Sequence, residues 1–203
     1  MSGFTSAHVR AAAIKASAAM EELKPILNDA DARMGDGDTG SMLSRVLGSL
    51  AEAAQKDESG TVGEACLALA KTAAASTGSS LGTLLATALM SIGKATRGQT
   101  EVEWSSLSAL ITEAQEKMAA RGGAKLGDKT VLDGLQAVAD EIRSCTEQSV
   151  AANARRGAQK SLDAFRDRPN QIGRARMFAD ATVGHDDPGM LALARLVDAI
   201  SQD

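Results

Sequence analysis

Apolar residues return every three or four positions along almost the whole chain. Val9, Ala12, Ala13, Ala16, Met20, Leu23 and Leu27 make one stripe, and Met42, Leu43, Val46, Leu47 and Leu50 the next. A third runs over 61–75 through Val62, Cys66 and Leu69, and a fourth through Leu84, Leu85, Ala88, Leu89 and Ile92. Trp104, Leu107, Leu110, Ile111, Ala114 and Met118 make a fifth, then Val131, Leu132, Leu135, Val138 and Ile142 a sixth. The stretch 147–166 is weaker and Ala-rich, and 188–200 closes the series with Leu191, Ala194, Leu196 and Val197. Spacing of this kind predicts amphipathic helices, about eight of them. Pro25 falls late in the first stripe, where it predicts a kink or an early end. No segment alternates in the manner of a strand. The glycines gather in the connections, at 35–40, 78–82, 93–98, 122–127 and 173–189. Residues 167–187 are the least helical and read as a long structured loop, the kind that serves as a lid.

Composition sharpens this picture. Only 2% of the 203 residues are aromatic, while 44% are hydrophobic, so the core is Ala, Leu, Val, Ile and Met. That palette suits helices and excludes an all-β fold. The length predicts one domain spanning 1–203, at ~150 residues per domain. The net charge is −4. Arg166, Arg168, Arg174 and Arg176 are interleaved with acids, so no concentrated basic face exists for nucleic acid. Cys66 and Cys145 are too few for a disulfide scaffold and point to a reducing cytoplasm. Arg10 and Lys15 interrupt the Ala-rich start, which is therefore no signal peptide, and Glu21 and Glu22 argue against a transit peptide. No apolar run approaches ~18 residues, so no membrane span is expected.

The densest chemistry lies between the first two stripes. Asp29, Asp31, Asp36 and Asp38 fall in one short segment punctuated by Gly35, Gly37 and Gly40. Two carboxylates ~5 Å apart repel by roughly 3 kcal/mol at an effective dielectric of 20. Such a cluster calls for a cation, protons or basic partners. All-oxygen donors without His or Cys suit Mg2+. The competing reading is a solvated acidic turn with Asp caps. Three familiar motifs fail here. The G-x-G-x-x-G at 35–40 follows a helical stripe, not a strand. A P-loop would need Lys where Ser41-Met42 stands, and an EF-hand from Asp36 would need Glu where Leu47 stands. A carboxylate-held Mg2+ beside a helix start survives, with the N–H groups near Gly40, Ser41 and Met42 directed at a phosphate.

Three later loops add to it. Ser76-Thr77-Gly78-Ser79-Ser80-Leu81-Gly82 could bind phosphate or simply cap a helix. In Arg121–Thr130, Asp128 or Thr130 could cap the sixth helix. Gly173-Arg174-Ala175 offers an arginine for a phosphate, and Asp187-Pro188 reads as an N-cap with a first-turn proline. His8 and His185, the two histidines, have no nucleophile beside them in sequence.

Taken in order, these loops resemble the nucleotide-binding L subunit of dihydroxyacetone kinases. The resemblance rests on Asp31 with Gly35-Asp36-Gly37-Asp38-x-Gly40, on Gly127-Asp128-Lys129-Thr130, on Gly173-Arg174-Ala175 and on Asp187-Pro188-Gly189. It implies an all-α closed antiparallel barrel of eight helices, with ATP or ADP and two Mg2+ ions at one end. Asp31, Asp36 and Asp38 would hold the metals. Thr39, Gly40, Ser41 and Met42, with Ser79 and Ser80, would contact phosphates. Gly122, Val131, Arg174 and Asp187-Pro188-Gly189 would line the nucleotide pocket, and 167–187 would be the lid. The substrate, a small ketose, would sit on a separate K-type subunit, so no catalytic residue beyond the metal-holding carboxylates is expected in this chain. A phosphotransferase-system protein is the other candidate phosphoryl donor, in place of ATP. Thr39 stands where the family has His, and Ser79 and Leu81 where it has Gly and Ser. The Gly-Asp-Thr-Gly run is similar to the fatty-acid-kinase branch. The alternatives are a nucleotide sensor without turnover and a kinase for a tetrose or fatty acid.

Overall fold

The computed structural model describes residues 3–202. Eight α-helices follow one another: α1 (Ser6–Ala32), α2 (Thr39–Lys56), α3 (Val62–Ser76), α4 (Ser80–Ala95), α5 (Leu107–Gly122), α6 (Val131–Glu141), α7 (Glu147–Phe165) and α8 (Pro188–Ile200). Each packs on the next, and α8 returns to pack on α1, so the ring is closed. Successive helices are packed neighbours and run antiparallel around the ring. The eight helices expected from the stripes, and the all-α barrel that the resemblance implies, are the observed architecture.

The inner faces are those stripes. Ala13, Ala16, Met20 and Leu27 of α1 meet Val46, Leu47 and Leu50 of α2 in one apolar cluster that also takes Leu69, Ala73, Val138, Leu162 and Met190. Leu27, Val46 and Ala73 are fully buried. Alanine at many of these positions lets helices approach closely, which compensates for the scarcity of large aromatic fillers.

Two expectations are corrected. The first helix does not end early at Pro25: α1 runs on to Ala32. Pro25 removes the bond to the Glu21 carbonyl, but both residues are exposed, so water replaces the lost partner. Leu27 meanwhile holds the last turn in the core. The second correction is a small antiparallel sheet, β1 (Gly3–Thr5) with β2 (Glu101–Glu103), in register Phe4↔Val102. Each strand has three residues, too few for alternation to show. Phe4 and Val102 bury a second cluster with Val62 and Cys66, and Trp104 packs on Phe4 with centroids 5.3 Å apart. His8 is structural here: its Nδ1 accepts the Thr5 N–H at 3.1 Å, and its ring meets Trp104 edge-on.

The alternation of helix direction decides where the loops go. The connections after α1, α3, α5 and α7 lie at one end of the ring, and those after α2, α4 and α6 lie at the other. Every segment singled out in the sequence for chemistry belongs to the first set. No helix among the described residues is long and apolar enough to cross a membrane.

Candidate functional site

The four connections at that end surround a cavity of about 770 Å³. Asp31, Asp36, Asp38, Thr39 and Met42 line it from the first connection, Ser79 and Ser80 from the second, Gly122 and Val131 from the third, and Arg174, Asp187, Pro188 and Gly189 from the fourth. Gly40 and Ser41 are not on its wall.

Asp31 is positioned by the end of α1 and is only 8% exposed. Its Oδ2 accepts the N–H groups of Asp38 and Thr39 at 2.9 and 3.1 Å, so it caps the start of α2 from the preceding helix. Gly35 passes so close that a Cβ there would lie 2.2 Å from Asp31 Oδ1. Asp36 and Asp38 are exposed, and one carboxylate oxygen of each of the three acids lies within 4.8 Å of the others. This is a convergent cluster and not a splayed turn, although Asp31 performs the capping role as well. Three like charges at this separation repel by roughly 3 kcal/mol per pair at an effective dielectric of 20. The Arg174 guanidinium contacts Asp36 and offsets part of that. The donors are all oxygen and the charge excess is negative, a set that fits a hard divalent cation such as Mg2+.

The expectation for Gly40 and Ser41 shifts. Asn28, a residue the sequence did not flag, accepts the Ser41 N–H through Oδ1 and donates from Nδ2 to Ser41 Oγ, both at 3.0 Å. The Met42 N–H is bonded to the Asp38 carbonyl at 2.8 Å. Two of the three amides directed at a phosphate are therefore used inside the protein. Gly40 instead lets α2 lie against α1, because a Cβ there would sit 2.2 Å from the Lys24 carbonyl oxygen.

Ser79 Oγ accepts the Gly82 N–H at 3.1 Å and caps α4, while Ser80 is exposed on the first turn. Leu81, Leu84, Met118 and Val131 add apolar lining to the cavity from α4, α5 and α6. Leu84 and Met118 read as plain core in the sequence, since their stripes do not show that the helix ends open onto a cavity. An acidic cluster and apolar lining in one cavity suit a ligand with a charged tail and a flat apolar body.

On the fourth side, Asp187 Oδ1 accepts the Met190 N–H at 2.9 Å as the cap of α8, and its Oδ2 accepts from Asn170 Nδ2 at 2.8 Å. Burial pushes this carboxyl up to about 6; the N–H of Met190, the Asn170 amide, the N–H of Gly189 and Lys129 oppose the shift. An acid raised on folding holds its proton more tightly in the native state. Its contribution to stability therefore declines as pH climbs from about 4 to about 6, and levels off above that. Asp187→Asn keeps the capping oxygen and removes the titration. The stability of the variant relative to the parent is expected to grow by on the order of 2–3 kcal/mol between pH 4 and pH 7. Urea denaturation at each pH checks this, and parallel curves would refute it.

A barrel of antiparallel helices that brings a carboxylate trio and apolar lining together at one mouth defines a class of helical ligand-binding domain. Residues 33–202 match the DAK2 domain, and the chain belongs to that family. It is 28% identical over 185 residues to the ADP-binding subunit DhaL of a PEP-dependent dihydroxyacetone kinase of Listeria innocua, covering 90% of this chain and 89% of that protein. It is 30% identical over 183 residues to a D-erythrulose kinase of Mycolicibacterium smegmatis, covering 87% of this chain but 32% of that one. The crystal structure of the dihydroxyacetone kinase of C. freundii in complex with AMP-PNP and Mg2+ shares the fold, with a TM-score of 0.74 at 22% identity over 95% of this chain and 33% of that one. The chain thus spans about a third of those two larger proteins.

Proposed function

We propose that residues 1–203 act as one nucleotide-binding unit, the L-type subunit of a dihydroxyacetone-type kinase. It would transfer the γ-phosphoryl group of Mg2+-bound ATP to a small ketose held by a separate K-type subunit, leaving ADP, which is exchanged for ATP or recharged in place. The observation that carries this reading is the convergence of Asp31, Asp36 and Asp38 beside the start of α2, in a cavity that α4, α5 and α6 also line with apolar side chains. These three acids would hold two Mg2+ ions, which neutralise and orient phosphate oxygens when bound. Phosphoryl transfer asks mainly for positioning and charge neutralisation, which such a site supplies without a nucleophile of its own.

In this reading the chain's residues divide the work by chemistry. Leu84, Gly122 and Val131 take the base. Thr39, Ser79 and Ser80 offer hydroxyls to the phosphates, while Gly40 and Ser41 fix the start of α2 against α1 and Met42 lines the cavity beside it. Arg174 exchanges Asp36 for a phosphate as a charge-assisted partner. Asp187, Pro188 and Gly189 complete the wall.

The Listeria innocua relative and the DhaL of Lactococcus lactis are called PEP-dependent and PTS-dependent, which favours ADP retained on the chain and recharged by a phosphotransferase protein. A ketotetrose is the second substrate reading, favoured by relatives that are erythrulose kinases.

The test is isothermal titration of ADP with and without Mg2+. Binding that requires Mg2+ is the expected result, and equal heats in both titrations would refute the metal-held nucleotide. Mixing the chain with a K-type partner, ATP and dihydroxyacetone or erythrulose then reads turnover and substrate.

A further inference from the structure

Lys129 is a buried charge that the proposed phosphoryl chemistry does not use. It is fully buried, and its φ of 61° makes it the one non-glycine residue among the described residues in the left-handed region. A lysine is held in that conformation only when its surroundings over-determine it. Here they do. Its ammonium donates to the carbonyls of Arg166 at 3.1 Å, Arg168 at 2.8 Å and Thr182 at 2.8 Å, which uses all three of its protons. The Arg166 carbonyl belongs to the C-cap of α7, where a cation is favoured by the helix dipole, and that of Arg168 follows two residues later. The third lies at the far end of the 3₁₀ segment Arg174–Thr182. One side chain therefore joins the base of α6 to both feet of the fourth connection.

Asn170 doubles the tie. It is 1% exposed, its N–H donates to Thr182 Oγ1 at 2.9 Å, and its Nδ2 donates to the Lys129 carbonyl at 2.9 Å and to Asp187 Oδ2 at 2.8 Å. The Gln171 N–H bonds to the Asp128 carbonyl and the Gly184 N–H to that of Arg166. Between these pins the chain is exposed: Met177 and Phe178 are 71% and 48% accessible, and Arg174 reaches across to Asp36.

We propose that Lys129 is a positioning residue for the nucleotide site. Its ammonium clamps the two feet of the fourth connection, so that Asp187 keeps its place on the cavity wall and any closure is confined to residues 172–181, which carry Ile172 and Arg174. The clamp follows from contacts within the chain, while its effect on ligand rests on the nucleotide reading above. It also narrows the lid expected over 167–187, because the feet of that segment are fixed to α6 and only its middle is free to swing.

Hydrogen exchange on the full chain, read by mass spectrometry with no ligand present, tests the clamp. In the parent protein the amides of Asn170, Gln171 and Gly184 are expected to exchange at least about tenfold more slowly than those of 175–178. Equal rates across the segment would overturn the clamp. Lys129→Met is expected to speed exchange at the three pinned amides about tenfold while α1 to α4 keep their protection. Acceleration spread evenly over the whole chain, or none, would overturn it. If the variant does not fold, the parent profile and Asn170→Ala, which removes only the second tie, decide the question by the same criterion.

Titration of ADP with Mg2+ reads the positioning role. Lys129→Met should weaken binding about tenfold, and Lys129→Arg, which restores donors at the same place, should recover part of it. A variant whose pins are loosened but which binds ADP as the parent does would overturn the role while leaving the nucleotide reading intact. A parent that binds no ADP would instead sink the nucleotide reading, and the ligand-free exchange data would still decide the clamp.

Discussion

Asp36→Asn is expected to weaken Mg2+-dependent ADP binding by at least about 100-fold and to leave the free protein as stable as the parent, or slightly more so. The side chain of Asp36 is 47% exposed and performs no structural work apart from its ion pair with the exposed Arg174. An exposed pair of that kind contributes only ~0–1 kcal/mol. Removing one charge from three that lie within 4.8 Å also relieves repulsion in the metal-free state. With a divalent cation present the balance reverses, because a lost carboxylate–cation interaction of roughly 3 kcal/mol corresponds to about two decades in affinity. Asp31→Ala separates the two roles from the other side. It removes a ligand and also leaves the N–H groups of Asp38 and Thr39 without their acceptor. That variant should lose binding and about 1–2 kcal/mol of stability together. Isothermal titration and thermal unfolding of the two variants check the pair of outcomes. Parent-like ADP binding by Asp36→Asn in Mg2+ would end the proposal that these acids hold the metal.

Gly40→Ala is expected to destabilise the protein by about 3 kcal/mol, at the upper end of what overpacking costs. The added Cβ would lie 2.2 Å from the Lys24 carbonyl oxygen and 2.9 Å from Asn28 Oδ1, so α2 must move away from α1 at its first turn. Backbone cannot turn aside as a flexible side chain would. The same movement breaks the Asn28 bond to the Ser41 N–H and carries Thr39 away from the Asp31 carboxylate. Loss of Mg2+-dependent ADP binding should therefore accompany the loss of stability. Gly48→Ala on the same helix is the control. Nothing lies within 4 Å of its added Cβ, and replacing a mid-helix glycine by alanine gains about 0.5–1 kcal/mol. Chemical denaturation should thus move in opposite directions for the two substitutions. A shared direction would show that close approach is not the reason for glycine at position 40.

Much of the site is legible in the amino-acid sequence. Four carboxylates among three glycines between two helical stripes are a local feature, and so is the Asp187-Pro188 cap, which the fold reproduces with Asp187 accepting from Met190. The Asp31, Asp36 and Asp38 side chains do converge. Less legible are the residues that act through distant partners. Asn28 looks like one more polar residue near a helix end, yet it anchors Ser41 across the α1–α2 seam. Lys129 stands in the Gly127–Thr130 motif, where no local pattern indicates its burial, which depends on carbonyls up to 53 residues away.

The helices and their buried faces are written in the order of residues, because helical periodicity and the preference for an apolar interior act over a few residues at a time. So is the assignment of each piece of chemistry to its connection. Which connections meet is a matter of long-range packing: antiparallel closure of the ring brings the four from alternate seams to one mouth and sends the others away. The β1–β2 pair, the continuation of α1 through Pro25, the contact of Arg174 with Asp36 and the burial of Lys129 all follow from that closure. Each depends on a partner far along the chain or on solvent reaching one particular carbonyl, and no local pattern of residues encodes either.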